Sequence, residues 1–184
     1  LVIAAGSIVR MTGSGMGCPD WPKCFGYWIP PTERTQLDWK PGHQYSKGQV
    51  IILNEELRVA NGNFESSKTF SDRNWGFYTQ HDYALFDPYE TWIEYLNRLI
   101  GVVAGLAVLI MTILSFWKWK KNISHTFVSI LILLGMGFQA WLGKTVVDSN
   151  LAPYRVSLHM GMALLIVLGL VFLLFSNQIK AFSI

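Results

Sequence analysis

The sequence has little net charge and few cysteines. Its 184 residues hold 15 Lys and Arg against 12 Asp and Glu, which gives a formal net charge of +3. The chain carries no basic patch of the kind that binds nucleic acid, so nucleic acid is not an expected partner. The two cysteines, Cys18 and Cys24, have no histidine near them in the sequence and therefore make a poor zinc site.

Long apolar runs dominate the rest of the chain. Hydrophobic residues make up 51% of it, and they gather in three runs at 99–117, 126–143 and 156–179, behind a long polar block. Runs of about 20 residues are long enough to cross a bilayer. The pattern predicts a polytopic integral membrane protein with one large loop, surrounded by membrane lipid, rather than a soluble domain.

The predicted fold is an all-α, four-helix membrane bundle with a truncated first helix and a long extracytoplasmic loop. The expected segments are the end of transmembrane helix 1 at 1–9, the loop at 10–91, and transmembrane helices at 92–117, 125–146 and 155–178. The first of these is too short to span. A signal peptide is not expected, because no charged segment precedes the apolar stretch and no small-residue cleavage site follows it.

Lysines between the apolar runs predict the orientation. Lys118, Lys120 and Lys121 lie between the first two runs, and Lys180 follows the last. Under the positive-inside rule these ends are cytoplasmic, which puts the long loop on the opposite side of the membrane.

The loop opens with a segment, 10–26, whose glycines and prolines exclude a regular helix. It holds Cys18 and Cys24 with five residues between them, close enough for the chain to bring them together. In an oxidising compartment the pair would form a disulfide, either as a structural staple or as a redox-active pair.

Two further elements are expected in the loop. Residues 49–53 and 57–60 predict a short hairpin joined by 54–56. Ser71 predicts the cap of a brief helix that carries Trp75 and Tyr78.

The start of the first long run carries unusual polar residues. On a helix, Glu94, Asn97 and Arg98 share one face, because positions three and four apart are neighbours. Charges one turn inside a membrane helix are costly and indicate function. The plain alternative is a snorkelling pair at the membrane surface.

Two polar residues lie within the later runs. Gln139 is expected to hydrogen-bond inside the bundle, and His159 is expected to face its interior. As a single histidine, His159 suits a core residue, a proton carrier or a metal ligand. The predicted topology puts it at the depth of Glu94, so the polar side chains of both helices are expected to converge in one pocket. His43 and His81 are interpreted as surface histidines.

Several separated segments together resemble the heme A synthase family. The resemblance rests on Gly6-Ser-Ile-Val-Arg10-Met-Thr-Gly-Ser-Gly15 with Cys18-Pro-Asp-Trp-Pro-Lys-Cys24, on Glu94-Tyr-Leu-Asn97-Arg98, and on Gly143-Lys-Thr-Val-Val-Asp-Ser149 with Leu158-His159. The first set is similar to the family's first outer loop, the second to its Glu-x-x-His-Arg motif, and the third to the end of its third span and the histidine of its fourth. The loop at 32–90 is longer than the family leads us to expect.

The resemblance implies an eight-span protein built from two similar halves, each of which binds heme, with this chain as the first half. It implies an oxidoreductase that converts the methyl group of heme o into a formyl group with water as oxygen source, while a heme b passes electrons. The implied location is the bacterial inner membrane. The implied partners are heme o, heme O synthase, cytochrome oxidase assembly factors, and either the second half or a second copy of the chain.

The resemblance also implies roles for single residues. By match, Glu94 is catalytic and His159 is an axial ligand of the heme iron. The chemistry of the side chains adds that Arg98 could hold a heme propionate as a charge-assisted pair or simply pair with Glu94, and that Arg10 could also serve a propionate. The outer cysteines, Cys18 and Cys24, are the family's disulfide pair.

One position departs from the family pattern. Asn97 stands where the motif has a histidine, and an amide is a poor iron ligand, although the residue still belongs to the expected heme-binding set. The second axial position is therefore open to His81, His43 or water. Two alternatives remain: a heme-binding electron-transfer module without chemistry on the heme, and a membrane thiol oxidoreductase. The latter is disfavoured, because the chain lacks a Cys-x-x-Cys centre.

Overall fold

The structure is a computed structural model that describes residues 1–78, 86–117 and 122–182. The chain divides into two compact units. We call Gly6–Asn97 the loop unit, and Leu1–Ala5 together with Arg98–Ile184 the helical unit. The helices are α1 (Val2–Met11), α2 (Pro88–Phe116), α3 (Ile123–Asp148) and α4 (Pro153–Phe182). The strands are β1 (Gln44–Tyr45), β2 (Val50–Leu53), β3 (Glu56–Ala60), β4 (Phe64–Glu65) and β5 (Trp75–Phe77).

The loop unit is built on two small antiparallel sheets. One has the order β2-β3-β5 and the other pairs β1 with β4. Strands β2 and β3 form a hairpin in which Val50 lies opposite Val59. Its turn residues, Asn54 and Glu55, have φ angles of 52° and 61°, as a type I′ turn requires at both central positions.

Strand β2 is apolar throughout because both of its faces are buried. Successive side chains of a strand point to opposite faces. Val50 and Ile52 belong to a core cluster with the two cysteines, Phe25, Leu37 and Leu57. Ile51 belongs to a second cluster with Tyr45, Ala60 and Trp75. Burial raises the pKa of the Tyr45 hydroxyl, and a hydrogen bond from the Lys40 backbone N–H partly opposes that shift.

The strands correct the expectation of an all-α fold. The brief helix expected after Ser71 is also wrong: the chain makes one 3₁₀ turn, Asp72–Asn74, and Ser71 makes no side-chain cap. Trp75 instead starts β5, where it pairs with Ala60. Its indole is 6% exposed and packs edge-on against Tyr45 with ring centroids 4.9 Å apart. Burial against the sheet overrides the local helix signal.

Among the described residues, three helices are long and apolar enough to cross a membrane: α2, α3 and α4, the last over Pro153–Ser176. Helix α2 begins four residues before the predicted position 92, because Asp87 caps it. The Asp87 Oδ1 accepts the N–H groups of Tyr89 and Glu90 at 2.7 and 3.3 Å, and Pro88 occupies the first helical position. Helix α1 is apolar but shorter, and it extends to Met11, so Arg10 lies in its last turn.

Small residues and hydroxyls hold the helical unit together. A Cβ added at Gly169 of α4 would lie 3.0 Å from the Ile132 side chain of α3. Between α2 and α3, the buried Thr112 hydroxyl lies 2.8 Å from the Val108 carbonyl and 3.2 Å from that of Ser129. Small residues and interhelical hydrogen bonds are the two features that stabilise helix association in lipid, because burying apolar surface there gives no net gain in free energy.

Candidate functional site

Glu94 is a buried carboxylate on the second turn of α2. Its side chain is 4% exposed, and Oε2 accepts the backbone N–H of Cys18 at 2.7 Å. One turn earlier, the Thr91 hydroxyl donates to the Gly17 carbonyl at 2.8 Å. Two residues on one helix face therefore bind two consecutive residues of the cysteine loop. Glu94 is tied to the backbone beside the disulfide.

Gly17 allows this close approach of loop and helix. A Cβ at Gly17 would lie 2.4 Å from both the carbonyl carbon and the oxygen of Glu90. Its φ of −65° is open to any residue, so the requirement for glycine is steric rather than conformational. The sequence suggests only that this glycine interrupts a helix.

Cys18 and Cys24 form a disulfide with Cα atoms 4.8 Å apart, and both are fully buried. The loop between them is held on two further sides. The Tyr78 hydroxyl donates to the Pro19 carbonyl at 2.5 Å, and the Asp20 Oδ2 accepts the Gly26 N–H at 2.8 Å. Immediately after the loop, the Phe25 carbonyl accepts the N–H of Val50, which joins it to β2. The disulfide is thus a fixed part of the loop unit's core.

The other candidates in the loop unit are less enclosed. Asn97 is half-buried on α2, with its Oδ1 4.0 Å from where a Cβ on Gly6 of α1 would lie. Arg10 is exposed at the end of α1. His43 is exposed and contacts the Tyr45 ring edge-on at 4.7 Å. His81 lies outside the described residues.

His159 lies in the first turns of α4 and faces α3. A Cβ added at Gly143 would lie 3.4 Å from Cε1 of its ring, so the glycine makes room for the imidazole. The Gln139 Nε2 donates to the main-chain carbonyl of His159 at 2.9 Å. Within the described part of the chain, two buried atoms at this point have no hydrogen-bond partner: His159 Nδ1 and Gln139 Oε1.

The basic residues of the helical unit make different kinds of contact. Lys144 pairs with Asp148 at 2.5 Å, one turn along α3. Arg155, which no sequence motif singles out, donates from Nη1 to the Thr145 carbonyl at 2.8 Å and so ties α4 to α3. Arg98 is half-buried on α2. Among residues 1–78, 86–117 and 122–182, no cluster of three or more His, Cys, Asp or Glu could hold a metal ion by itself.

The predicted convergence on one pocket stays a prediction. Glu94 and Asn97 belong to the loop unit, whereas Arg98 and His159 belong to the helical unit. Within each unit the structure does bring functional groups together: Glu94 with the disulfide loop, and His159 with Gln139. The sequence indicates that Gln139 forms hydrogen bonds within the bundle, but nothing in it connects this residue with His159.

Comparison with known proteins gives a consistent result. The sequence model of one family, described as cytochrome oxidase assembly protein, matches residues 1–79 and 77–182. The heme A synthase of Shewanella oneidensis is 27% identical over 94% of this chain and 41% of its own length. The heme A synthases of Methylobacterium radiotolerans and Flavobacterium psychrophilum are each 30% identical, over 94% and 89% of this chain.

The chain spans about two fifths of the length of these curated relatives, since the matches cover 41%, 42% and 43% of them. No solved structure matches the chain.

Proposed function

This chain belongs to the cytochrome oxidase assembly protein family, and we propose that it forms the heme o-binding part of a heme A synthase. The proposed reaction oxidises a methyl group of heme o to the formyl group of heme A. Water would supply the oxygen, and a heme b held elsewhere in the protein would accept the electrons. The bound iron porphyrin supplies the redox chemistry, while the protein supplies binding, orientation and proton handling.

The observation that carries this proposal is the imidazole of His159. It lies on a helix apolar enough to span a membrane, and its Nδ1 is buried without a partner among the described residues. A buried polar group without a partner is costly, so a buried imidazole that the protein leaves incompletely bonded usually serves a ligand or a chemical step. Neutral imidazole is a good iron ligand, and the absence of a side chain at Gly143 admits the ring beside α3. His159 would therefore suit a heme iron bound through Nε2, with Nδ1–H left for a hydrogen-bond acceptor.

Glu94 is proposed to accept a proton from the attacking water. A carboxylate within hydrogen-bond reach of the reacting water can act as a general base. Its Oε2 accepts the Cys18 N–H, which orients the carboxylate, and Oε1 is the proposed basic atom. The charge-assisted bond to the loop and the proposed proton transfer thus use different oxygens of the same side chain.

The arginines are proposed to bind the heme propionates. Guanidinium groups match carboxylates in geometry as well as in charge. Arg98 lies in the third turn of α2, and Arg10 lies in the last turn of α1. Asn97 would border the heme without ligating its iron, because an amide is a poor iron ligand.

The protein is an integral membrane protein, with three helices of spanning length and a membrane family. We place it in the bacterial inner membrane with the loop unit outside. Its proposed partners are heme o, heme O synthase, oxidase assembly factors, and a second half or a second copy of the chain. The lysine distribution supports this orientation. So does the disulfide, because such bonds persist in oxidising compartments.

Heme content of purified variants tests this function. His159→Ala should lose one heme, whereas Asn97→Ala should keep it. His125→Ala is the matched control: this histidine also lies half-buried in the helical unit, on α3, and its loss should leave the heme bound. Extraction and chromatography would identify the heme type. Full heme retention in His159→Ala would refute the assignment of the ligand.

One observation favours a second candidate, a heme-binding electron-transfer module. The hydrogen bond from Cys18 gives Glu94 a structural role that requires no chemistry on the heme. Under this alternative, cells that supply heme o would form no heme A, and the protein would retain its heme unchanged. Formation of heme A that depends on this protein would exclude the alternative.

A further inference from the structure

The contact between Gln139 and His159 joins two incomplete hydrogen-bonding groups. Gln139 uses its Nε2 to bind the His159 carbonyl at 2.9 Å, which brings its amide next to the residue that carries the imidazole. Its remaining oxygen, Oε1, is buried and has no partner in the described part of the chain. The His159 Nδ1 is likewise buried and has no partner in the described part of the chain. Gln139 Oε1 is an acceptor, and His159 Nδ1 is a donor whenever it carries the ring proton.

We infer that Gln139 is the positioning residue that fixes the ring of His159 for iron binding. This inference rests on the proposed function, because it requires His159 to bind iron through Nε2. Once Nε2 is a ligand, the ring proton must be on Nδ1, and that N–H needs an acceptor. Gln139 Oε1 is the proposed acceptor, because its amide is already held at the backbone of His159.

The surroundings of the ring support this role. Gly143 lies one turn after Gln139 on the same face of α3, and a Cβ there would stand 3.4 Å from Cε1 of His159. The glycine therefore lets the ring lie directly against the face of α3 that carries the amide. One turn before Gln139, this face packs through apolar contacts, with Gly135 close to Met162 and Ile166. If residue 139 served only to pack the two helices, an apolar side chain would do so equally well. It would also avoid the cost of burying an amide oxygen without a partner.

The acceptor also sets the electronic character of the ligand. A hydrogen bond from Nδ1–H makes the imidazole a stronger electron donor, which favours ferric over ferrous iron. Removing the acceptor should raise the midpoint potential of the heme that His159 binds. This effect separates positioning from packing, because a packing defect has no reason to follow the acceptor strength of residue 139.

Two substitutions in the purified holo protein test the inference. Gln139→Met keeps the length of the side chain and removes the acceptor. Gln139→Glu keeps an acceptor oxygen and removes the donor to the His159 carbonyl. We expect the midpoint potential to rise in Gln139→Met and to fall below the wild-type value in Gln139→Glu, because a carboxylate is the stronger acceptor. The iron–imidazole stretching band of the reduced protein should move to lower frequency in Gln139→Met and not in Gln139→Glu.

The outcomes distinguish the two proposals. If His159→Ala loses the heme but the potential is unchanged in Gln139→Met, the inference about Gln139 is wrong and the ligand assignment stands. The same holds if Gln139→Glu shifts as Gln139→Met does. If His159→Ala keeps the heme, both proposals are overturned. If Gln139→Met does not fold, Gln139→Glu decides: a lowered potential there supports the inference, and a raised or unchanged one overturns it.

Discussion

The two units differ in how their buried polar groups are hydrogen-bonded. In the loop unit, Thr91 and Glu94 are bonded to the backbone of the cysteine loop, at 2.8 and 2.7 Å. In the helical unit, the hydroxyls between α2 and α3 are likewise bonded to carbonyls, but His159 Nδ1 and Gln139 Oε1 are buried without partners in the described residues. The loop unit also has an unpaired buried atom within the described residues, Arg58 Nε, but the same guanidinium already pairs with Glu56 and Asp72 at 3.0 and 3.3 Å. The unpaired atoms of His159 and Gln139 belong to two residues in contact on neighbouring helices, and there we expect a ligand.

The comparison also separates two ways of building a core. The loop unit packs the disulfide and both faces of β2, and it gains stability from apolar burial. The helical unit leaves large apolar side chains such as Leu106, Ile110 and Leu164 more than half exposed, as lipid-facing residues are. Its helices gain from close packing and hydrogen bonds instead. Equal substitutions should therefore have unequal effects in the two units.

The largest expected effect is that of Glu94→Gln on activity. Glutamine keeps an oxygen that can accept the Cys18 N–H but removes the basic group. Loss of a general base typically costs about 10²–10⁴-fold in rate. Heme A production should therefore collapse, with heme o or a hydroxylated intermediate building up, while heme binding is retained. The measurement is heme extraction from cells that express the variant. A normal heme A yield would mean that Glu94 only anchors the loop.

Gly17→Ala should break the docking of the loop on α2. The new Cβ would collide with the Glu90 carbonyl, where the gap is 2.4 Å and the obstacle is backbone rather than a flexible side chain. Overpacking of this kind costs about 1–3 kcal/mol or more. Gly62→Ala is the matched control, because nothing lies within 4 Å of a Cβ there. Chemical unfolding followed by near-ultraviolet circular dichroism should show a loss of stability only in the first variant. Equal stability of the two would show that the loop can shift away from the helix.

The family resemblance drawn from separated motifs is confirmed by the family match. The apolar runs are also informative, because about 20 uncharged residues in a row have few structures open to them other than a spanning helix. The type I′ turn at Asn54 and Glu55 closes a hairpin where two short apolar segments predict one. These features depend on neighbours in the sequence, so a single sequence reveals them.

Other contacts have no local signal. Glu94 and Cys18 are 76 residues apart, and no spacing rule connects them. Ser71 suggests a helix cap and so predicts a helix at Trp75, whose burial against Tyr45 cannot be seen from the sequence. The hydroxyls between α2 and α3 do have a sequence pattern that indicates helix contact, although it is weak. Their spacing of three within apolar runs places each pair on one helix face, as it does for Thr112 with Ser115 and for Thr126 with Ser129.

Removing the disulfide should have an intermediate effect confined to the loop unit. A loop as short as that between Cys18 and Cys24 restricts the unfolded chain only modestly, so the double serine variant should lose about 2 kcal/mol. Hydrogen exchange should show faster opening of β2 and unchanged protection of α3 and α4. Mass spectrometry after alkylation without reductant checks the premise. Two freely alkylated thiols in protein taken from an oxidising compartment would contradict it.

The smallest expected effect is that of Thr112→Val in the helical unit. Its hydroxyl lies 3.2 Å from the Ser129 carbonyl of the neighbouring helix, as well as 2.8 Å from a carbonyl of its own helix. Side-chain hydrogen bonds between membrane helices are worth about 0.6 kcal/mol on average, because the separated helices find other partners in the membrane. We therefore expect a loss of about that size in the free energy of unfolding, measured in detergent micelles.

Thr145→Val is the control for that variant. The Thr145 hydroxyl donates to the Leu142 carbonyl at 2.8 Å, within its own helix, so its removal should leave the contacts between helices unchanged. The difference between the two valine variants isolates the interhelical bond. A loss above about 2 kcal/mol in Thr112→Val alone would exceed the usual range for such bonds in membranes. It would mean that the hydroxyls between α2 and α3 act as one network, and that polar pairing stabilises the helical unit as strongly as apolar burial stabilises the loop unit.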